Sequence, residues 1–196
     1  MLNGTIVTVR PLVEADLDVL ARELVDLTRR GAWYPLPAAG DGDVRKAFAD
    51  DALWSGGSGI FAVTDRAGDG AIIGVVSWQR IESDTPDVEL GYRIFDPQMR
   101  GRGAASEAVG LVGSYLFAIG HDHRLRLVIH PDNIASRRVA EKTGFTLEAT
   151  SREAWYDRGA WQDVLIYTVT REEWQARWGL PRFGRFGEAE PTAPTA

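Results

Sequence analysis

The stretch DPQMRGRGAASEAVG, residues 96–110, decides the fold, because it stands between a β-rich run and an alanine-rich helical pattern. Its two glycines, Gly101 and Gly103, have no Cβ, so a ligand can approach the main chain closely. A helix that begins after them leaves its first N–H groups without partners and places positive potential there. Arg100 and Arg102 add guanidinium groups that suit phosphate oxygens. The stretch therefore predicts a pyrophosphate site. The alternative is an ordinary turn with two solvated arginines.

Two common phosphate-binding motifs fit this stretch poorly. A P-loop requires Gly-Lys-Ser/Thr, which is absent. A dinucleotide fingerprint requires a third glycine where Ser106 stands, and it normally opens the first βαβ unit of a domain rather than following three strands. The residues alone therefore leave the phosphate ligand open.

Working outward from this stretch, hydrophobic periodicity predicts a regular order of elements. The predicted strands are residues 5–10, 59–65, 71–81, 88–95 and 124–130, followed by a hairpin at 146–156 and 161–169. The predicted helices are residues 13–31, 44–54, 104–119, 134–144 and 171–178. This order predicts an α/β (α+β) fold, a mixed sheet with helices on its faces. We expect one domain over residues 1–180 and a disordered tail over 181–196.

Composition narrows the class of protein. The 196 residues are 44% hydrophobic and 26% charged, as in globular proteins. No apolar run approaches the roughly 20 residues of a membrane helix, and the N-terminus lacks a secretory pattern. The absence of cysteine fits a cytoplasmic protein, and the net charge of −6 argues against nucleic-acid binding. We therefore expect no membrane and no nucleic-acid partner.

Two segments resemble a known family. Gln98-Met-Arg-Gly101-Arg-Gly103 resembles the acyl-CoA motif Gln/Arg-x-x-Gly-x-Gly/Ala of the GNAT N-acetyltransferase superfamily. A second segment is similar to the Asn-x-x-Ser-x-x-x-x-Glu-Lys-x-Gly-Phe pattern of its RimJ/RimL branch. The matching residues are Asn133, Ser136, Glu141, Lys142, Gly144 and Phe145. The resemblance covers about residues 5–175.

The resemblance implies a mostly antiparallel, twisted sheet that is splayed between its fourth and fifth strands, with helices on both faces. It implies acetyl-CoA as co-substrate and no metal. It assigns cofactor binding to main-chain groups along the fourth strand and the glycine turn, and to two residues at the start of the helix at 134–144. These cofactor-binding residues are Tyr92, Ile94, Phe95, Arg100, Gly101, Arg102, Gly103, Ala104, Asn133 and Ser136.

The resemblance also implies catalytic roles. Glu89 matches the position of a general base for the acceptor amine, acting directly or through water, and a solvated strand acid is the alternative. Many superfamily members protonate the leaving thiolate with a tyrosine, but that position here is Ala140. The RimJ/RimL-like pattern supplies Ser136 for this role instead. The alternative is that Ser136 only forms hydrogen bonds with backbone groups at the start of its helix.

Aromatic residues are numerous, with seven tryptophans in the chain. Trp33, Tyr34 and Tyr156 are predicted to bind the acceptor. Trp78, Trp161 and Trp174 are predicted to be core or half-buried residues.

The predicted function is transfer of an acetyl group from acetyl-CoA to a primary amine by direct attack on the thioester. The branch resemblance implies a protein or peptide N-terminal α-amine. The alternatives are a small amine (a polyamine, an amino acid or an antibiotic), a non-catalytic acyl-CoA-binding module, and an enzyme that uses NAD or ATP. We expect a monomer or a homodimer.

Overall fold

The computed structural model describes residues 1–26, 28–29, 31–33, 40–81, 87–157 and 159–179. The predicted tail and Tyr34 lie outside these residues. The strands are β1 (Leu2–Asn3), β2 (Val7–Pro11), β3 (Ser58–Asp65), β4 (Ile72–Ile81), β5 (Asp87–Ile94), β6 (Arg124–Ile129), β7 (Thr146–Asp157) and β8 (Ala160–Thr170). The helices are α1 (Leu17–Val25), α2 (Asp41–Asp51), α3 (Ala104–Ile119), α4 (Ile134–Thr143) and α5 (Arg171–Trp178).

All the strands join one sheet in the order β1-β2-β3-β4-β5-β6-β8-β7. Neighbouring strands are antiparallel except β5 and β6, which are parallel. The pairing of β5 with β6 covers only the three positions from Asp87↔Arg124 to Glu89↔Arg126, after which the strands diverge. The short β1 was not predicted, so β5 and β6 are the fourth and fifth of the predicted strands. Their divergence confirms the predicted splay.

Two arginine–carboxylate pairs hold the closed end of the splay. Arg124 donates from Nε and Nη2 to the two carboxylate oxygens of the buried Asp87, at 3.1 and 2.7 Å. Arg126 donates from Nε and Nη2 to Oε2 of Glu89, at 2.9 and 2.7 Å. These pairs join register partners, so they fix the point at which the two strands stop pairing.

Helices cover both faces of the sheet, as predicted. On one face α3 buries Ala108, Val109, Val112 and Leu116 completely against the strands. On the other face Leu17 and Leu20 of α1 and Val44 of α2 form a second cluster of buried residues. Each buried valine or leucine side chain contributes about 1.5–3 kcal/mol. No helix in the described part of the chain is both long and apolar enough to cross a membrane.

The tryptophan predictions are confirmed in two cases and wrong in one. Trp174 is completely buried and donates its indole N–H to Ser114 Oγ at 3.0 Å, and Trp78 is also buried. Trp161 is 61% exposed, contrary to the prediction. It lies at the end of the β7–β8 hairpin and packs against Tyr156, with ring centroids 5.3 Å apart.

Candidate active site

The glycine turn leaves a run of backbone N–H groups free. Gly101 and Gly103 have φ angles of +73° and +96°, a left-handed conformation that glycine adopts without strain. The first hydrogen bond of α3 runs from the Glu107 N–H to the Gly103 carbonyl. The N–H groups of residues 101–106 therefore find no acceptor within the described chain. Such a run at a helix N-terminus suits an anionic oxygen cluster.

The two arginines of the turn behave differently from each other. Both are exposed, but the Arg100 guanidinium folds back and donates to the carbonyls of Ile94 and Phe95 at 3.1 and 3.0 Å. The backbone N–H of Arg100 donates to Pro97 at 3.3 Å. Arg100 thus ties the turn to the end of β5, and the free N–H groups begin one residue later than predicted.

A cavity of about 430 Å³, the turn cavity, opens in front of these N–H groups. Side chains of α4 line its far side, including Arg138 and Lys142. Lys142 was not predicted to bind the cofactor, although it lies on the helix that carries Ser136. Free N–H groups, two left-handed glycines and two cations together fit a pyrophosphate.

The main chain of β5 borders the same cavity. The N–H of Phe95 donates to the Ile73 carbonyl of β4 at 2.7 Å, so it is not free for a ligand. Main-chain groups alternate in direction along an antiparallel strand, so those of Ile94 and Tyr92 face the splay. Both residues line the turn cavity, whereas Phe95 is buried against the α1 side of the sheet.

A second cavity of about 440 Å³, the sheet cavity, lies where β5 and β6 separate. Trp33, Glu89 and Trp155 line it. The two cavities share three residues, which are Tyr92, Asn133 and Ser136. A group held in one cavity can therefore meet a group held in the other beside these side chains.

The shared residues are joined by hydrogen bonds. Asn133 caps α4, because its Oδ1 accepts from the Ser136 N–H at 3.1 Å. The Ser136 hydroxyl lies 2.7 Å from the Tyr92 hydroxyl. Burial raises the pKa of Tyr92 to about 12, although the hydrogen bond with Ser136 acts in the opposite direction. Tyr92 is therefore a neutral phenol at physiological pH.

Glu89 lies at the sheet cavity as a paired carboxylate. Both donors of Arg126 go to Oε2, which leaves Oε1 outside the ion pair. The side chain of Glu89 is 25% exposed, so solvent can reach it. The ion pair with Arg126 fixes the orientation of the Glu89 carboxylate. It forms because Glu89 and Arg126 are register partners on the parallel strands β5 and β6, a register that could not be predicted from the sequence.

The aromatic residues predicted for the acceptor are placed in different ways. Trp33 lines the sheet cavity and stacks on His130, with ring centroids 4.4 Å apart. Tyr156 is 59% exposed and lies outside the cavity. Its neighbour Trp155, which points to the other face of β7, lines the cavity instead.

Metal-binding side chains are not clustered in the described residues. No group of three His, Cys, Asp or Glu side chains there is arranged to hold a metal ion.

Comparison with known proteins identifies the family. A family model of the acetyltransferase (GNAT) domain matches residues 7–146. Because this match covers most of the chain, the protein belongs to the GNAT acetyltransferase family, as the two sequence motifs predicted.

Individual relatives lie in the same family. "Probable N-acetyltransferase YjcK" of Bacillus subtilis (strain 168) is 37% identical over 112 residues, which are 57% of this chain and 59% of that protein. The ribosomal-protein-serine acetyltransferase of Escherichia coli (strain K12) is 32% identical over 96 residues, 49% of this chain and 53% of that protein. The chain thus spans between half and two thirds of the length of these relatives.

A solved structure shows the same fold. The spermidine N-acetyltransferase from Vibrio cholerae in complex with CoA and spermine superposes with a TM-score of 0.75 at 20% identity. The superposition covers 87% of this chain and 99% of the other. This likeness confirms the predicted mixed α/β fold.

Proposed function

We propose that this protein transfers the acetyl group of acetyl-CoA to a primary amine, and that the amine is the N-terminal α-amine of a protein or peptide. One observation carries the proposal: a cavity suited to pyrophosphate and a cavity lined by a carboxylate and two tryptophans meet at Tyr92, Asn133 and Ser136. Relatives named as acetyltransferases support it.

The turn cavity is the proposed site for the donor. Acetyl-CoA supplies a thioester that a neutral amine can attack. The free N–H groups of residues 101–106, with Arg138 and Lys142, bind its pyrophosphate. The N–H groups of Tyr92 and Ile94 face the splay, where one of them donates to the thioester carbonyl as charge develops on its oxygen.

The sheet cavity is the proposed site for the acceptor. The amine must lose a proton to attack, and Glu89 is the carboxylate nearest to where it would bind. An α-amine has a pKa of about 7.7–8.0, so part of it is neutral at physiological pH, whereas a lysine amine at about 10.4 is almost wholly protonated. Glu89 therefore assists the deprotonation of an α-amine, directly or through water, and solvent can take part of the protons.

The charge of the sheet cavity favours an α-amine over a polyamine. Among the described residues that line it, Glu89 is the one carboxylate, and Arg126 already balances its charge. A polyamine carries several positive charges and would need several carboxylates to replace its hydration. Trp33 and Trp155 instead offer apolar walls for the side chains that follow an N-terminal amine.

The test is release of CoA thiol from acetyl-CoA over a panel of amines, a readout without background because the protein has no cysteine. The panel contains serine- and alanine-initiated peptides with an internal lysine, the same peptides with a blocked N-terminus, and spermidine. We expect turnover only with free N-termini. Turnover of blocked peptides or a clear preference for spermidine would reassign the acceptor.

Two variants accompany the panel. Glu89→Gln should lower kcat/KM by about 10²-fold, the low end of general-base effects because solvent also takes protons, while CoA binding stays unchanged. Glu14→Gln, a change of the same kind at an exposed position, should have no effect. Tight CoA binding without turnover of any amine would indicate the non-catalytic module. Binding of NAD but not of CoA would refute the donor assignment as well.

A further inference from the structure

The contact between the hydroxyls of Tyr92 and Ser136 crosses the splay from β5 to α4 at the point shared by both cavities. We propose that Tyr92 is a positioning residue, which donates a hydrogen bond to Ser136 Oγ and thereby directs the Ser136 proton at the sulfur of the departing CoA. The proposal rests on the acetyl transfer proposed above and adds a residue to it.

The distances favour donation from the phenol to Ser136 Oγ. The phenol has one proton and two acceptors within reach, Ser136 Oγ at 2.7 Å and the Ser136 carbonyl at 3.2 Å. The shorter contact has the better geometry for an O–H···O bond. If the phenol donates to Oγ, no acceptor within the described chain takes the Ser136 proton, which is then available to a group bound in either cavity. A hydroxyl that accepts one hydrogen bond becomes a better donor in the next.

Burial decides what Tyr92 does with its proton. The raised pKa means that the phenol keeps this proton, since a thiolate is a much weaker base than the buried phenolate. Tyr92 therefore acts by donating a hydrogen bond and not by giving up the proton. This differs from a tyrosine on α4, whose place is taken by the buried Ala140.

The step balances without a further reactant. The amine nitrogen forms a bond to the carbonyl carbon, the C–S bond breaks, and its electron pair stays on sulfur. The Ser136 hydroxyl donates a hydrogen bond to that thiolate and keeps its proton. The proton lost by the amine goes to Glu89 or to water, and the thiolate takes up a proton from solvent after release.

The first experiment measures the pKa of the CoA thiol in the protein–CoA complex from the ultraviolet absorbance of the thiolate. The chain has no cysteine, so every thiolate in the sample belongs to CoA, and CoA-free protein corrects for tyrosine ionisation. We expect Tyr92→Phe to raise the pKa of the bound thiol by about one unit, the weight of one hydrogen bond to a charged group. Tyr115→Phe, in α3 against Phe61, is the matched control and should leave it unchanged.

The second experiment separates positioning from packing by kinetics. Tyr92→Phe should lower kcat about tenfold without changing KM, and Ser136→Ala should lower it at least as much. The double variant should be no slower than Ser136→Ala, because Tyr92 acts through Ser136. The proposal would be overturned if the losses of kcat in the two single variants multiplied in the double variant, or if Tyr92→Phe left the pKa of the bound thiol unchanged. The thiol titration needs no acceptor, so failure of the amine panel with a normal titration refutes only the acetyl transfer.

Discussion

Replacement of Glu107 by glutamine should destabilise the protein, because this carboxylate joins α3 to the start of β2. Its Oε1 accepts from the N–H and the hydroxyl of Thr5, both at 2.7 Å. Its Oε2 accepts from the N–H groups of Ile6 and Val7, at 2.7 and 2.8 Å. A carboxylate serves four donors here, and a glutamine has only one oxygen.

The magnitude follows from which donors lose their partner. In Glu107→Gln the new amide NH₂ will turn toward Thr5, which is exposed and can bind water instead. The amide carbonyl will still accept hydrogen bonds from the N–H groups of Ile6 and Val7. Two hydrogen bonds to a charged group are lost, worth about 1.5–3 kcal/mol each before water replaces part of them. We expect a loss of about 2–3 kcal/mol, or about 5–10 °C in Tm for a chain of this size. Glu107→Ala removes all four acceptor contacts and should cost more.

The pH dependence gives the prediction a second readout. Burial raises the pKa of Glu107, but the hydrogen bonds from Thr5, Val7 and Ile6 together outweigh it, so the net pKa is lowered. A lowered pKa in the folded state means that the stabilisation is complete above the unfolded value of about 4.3 and is lost as the pH falls through the folded value. The difference between wild type and Glu107→Gln should therefore shrink only in acid.

The assay is urea denaturation followed by tryptophan fluorescence, at pH 7 and in steps down to about pH 3.5. Glu172→Gln, an exposed acid in the first turn of α5, is the matched control. Equal midpoints for wild type and Glu107→Gln at pH 7 would refute the reasoning. A difference that persists undiminished in acid would refute the charge-based part of it.

Two further substitutions test the turn and the support of β5. Gly103→Ala should lower the free energy of unfolding by about 1–2 kcal/mol, because alanine is strained at a φ of +96° and its Cβ would lie 3.1 Å from Ile6 Cδ1. The same substitution should weaken CoA binding, as measured by calorimetry. Glu23→Gln removes the negative charge from a buried ion pair with Arg93, whose N···O distance is 2.8 Å, and from a second pair with Arg29 at 2.9 Å. It should cost about 3 kcal/mol by urea denaturation.

Each of these has a matched control. Gly101→Ala has a φ of +73° but open space around its Cβ, so it should destabilise less than the change at Gly103. Asp41→Asn breaks an exposed pair with Arg45 and should change stability by less than about 0.5 kcal/mol. If Asp41→Asn lowers the free energy of unfolding as much as Glu23→Gln does, burial does not explain the contribution of the Glu23 ion pair.

Local patterns predicted most elements because each element depends on neighbouring residues, but the helix predicted at 13–31 is much shorter, with α1 ending at Val25. The helix predicted at 104–119 has those same limits, and the one predicted at 134–144 ends at Gly144, which has a φ of +98°. The splay came from the family resemblance, and the structure confirms it. The two-residue β1 was missed because so short a strand has no periodicity to detect.

The candidate site could be predicted only where its parts are local. The glycine turn and the Asn133–Ser136 cap are each formed by residues that lie close together in the sequence. The contact between Tyr92 and Ser136 joins positions 44 residues apart, and no sequence spacing signals it. Trp155 lines the sheet cavity and Tyr156 does not, since a bulge between Ser151 and Trp155 sets which face each residue occupies.

The separation of β5 from β6 leaves each strand with an open edge inside the molecule rather than at its rim. An open edge on the outside of a sheet invites another chain to pair with it, which leads to aggregation. Here the two edges face each other, and the start of α3 and α4 stand beside the gap. A thin, linear molecule with its own amide groups would fit this gap in the place of a missing strand. The width of the gap between β5 and β6 therefore limits which molecules can enter, independently of the side chains that line it.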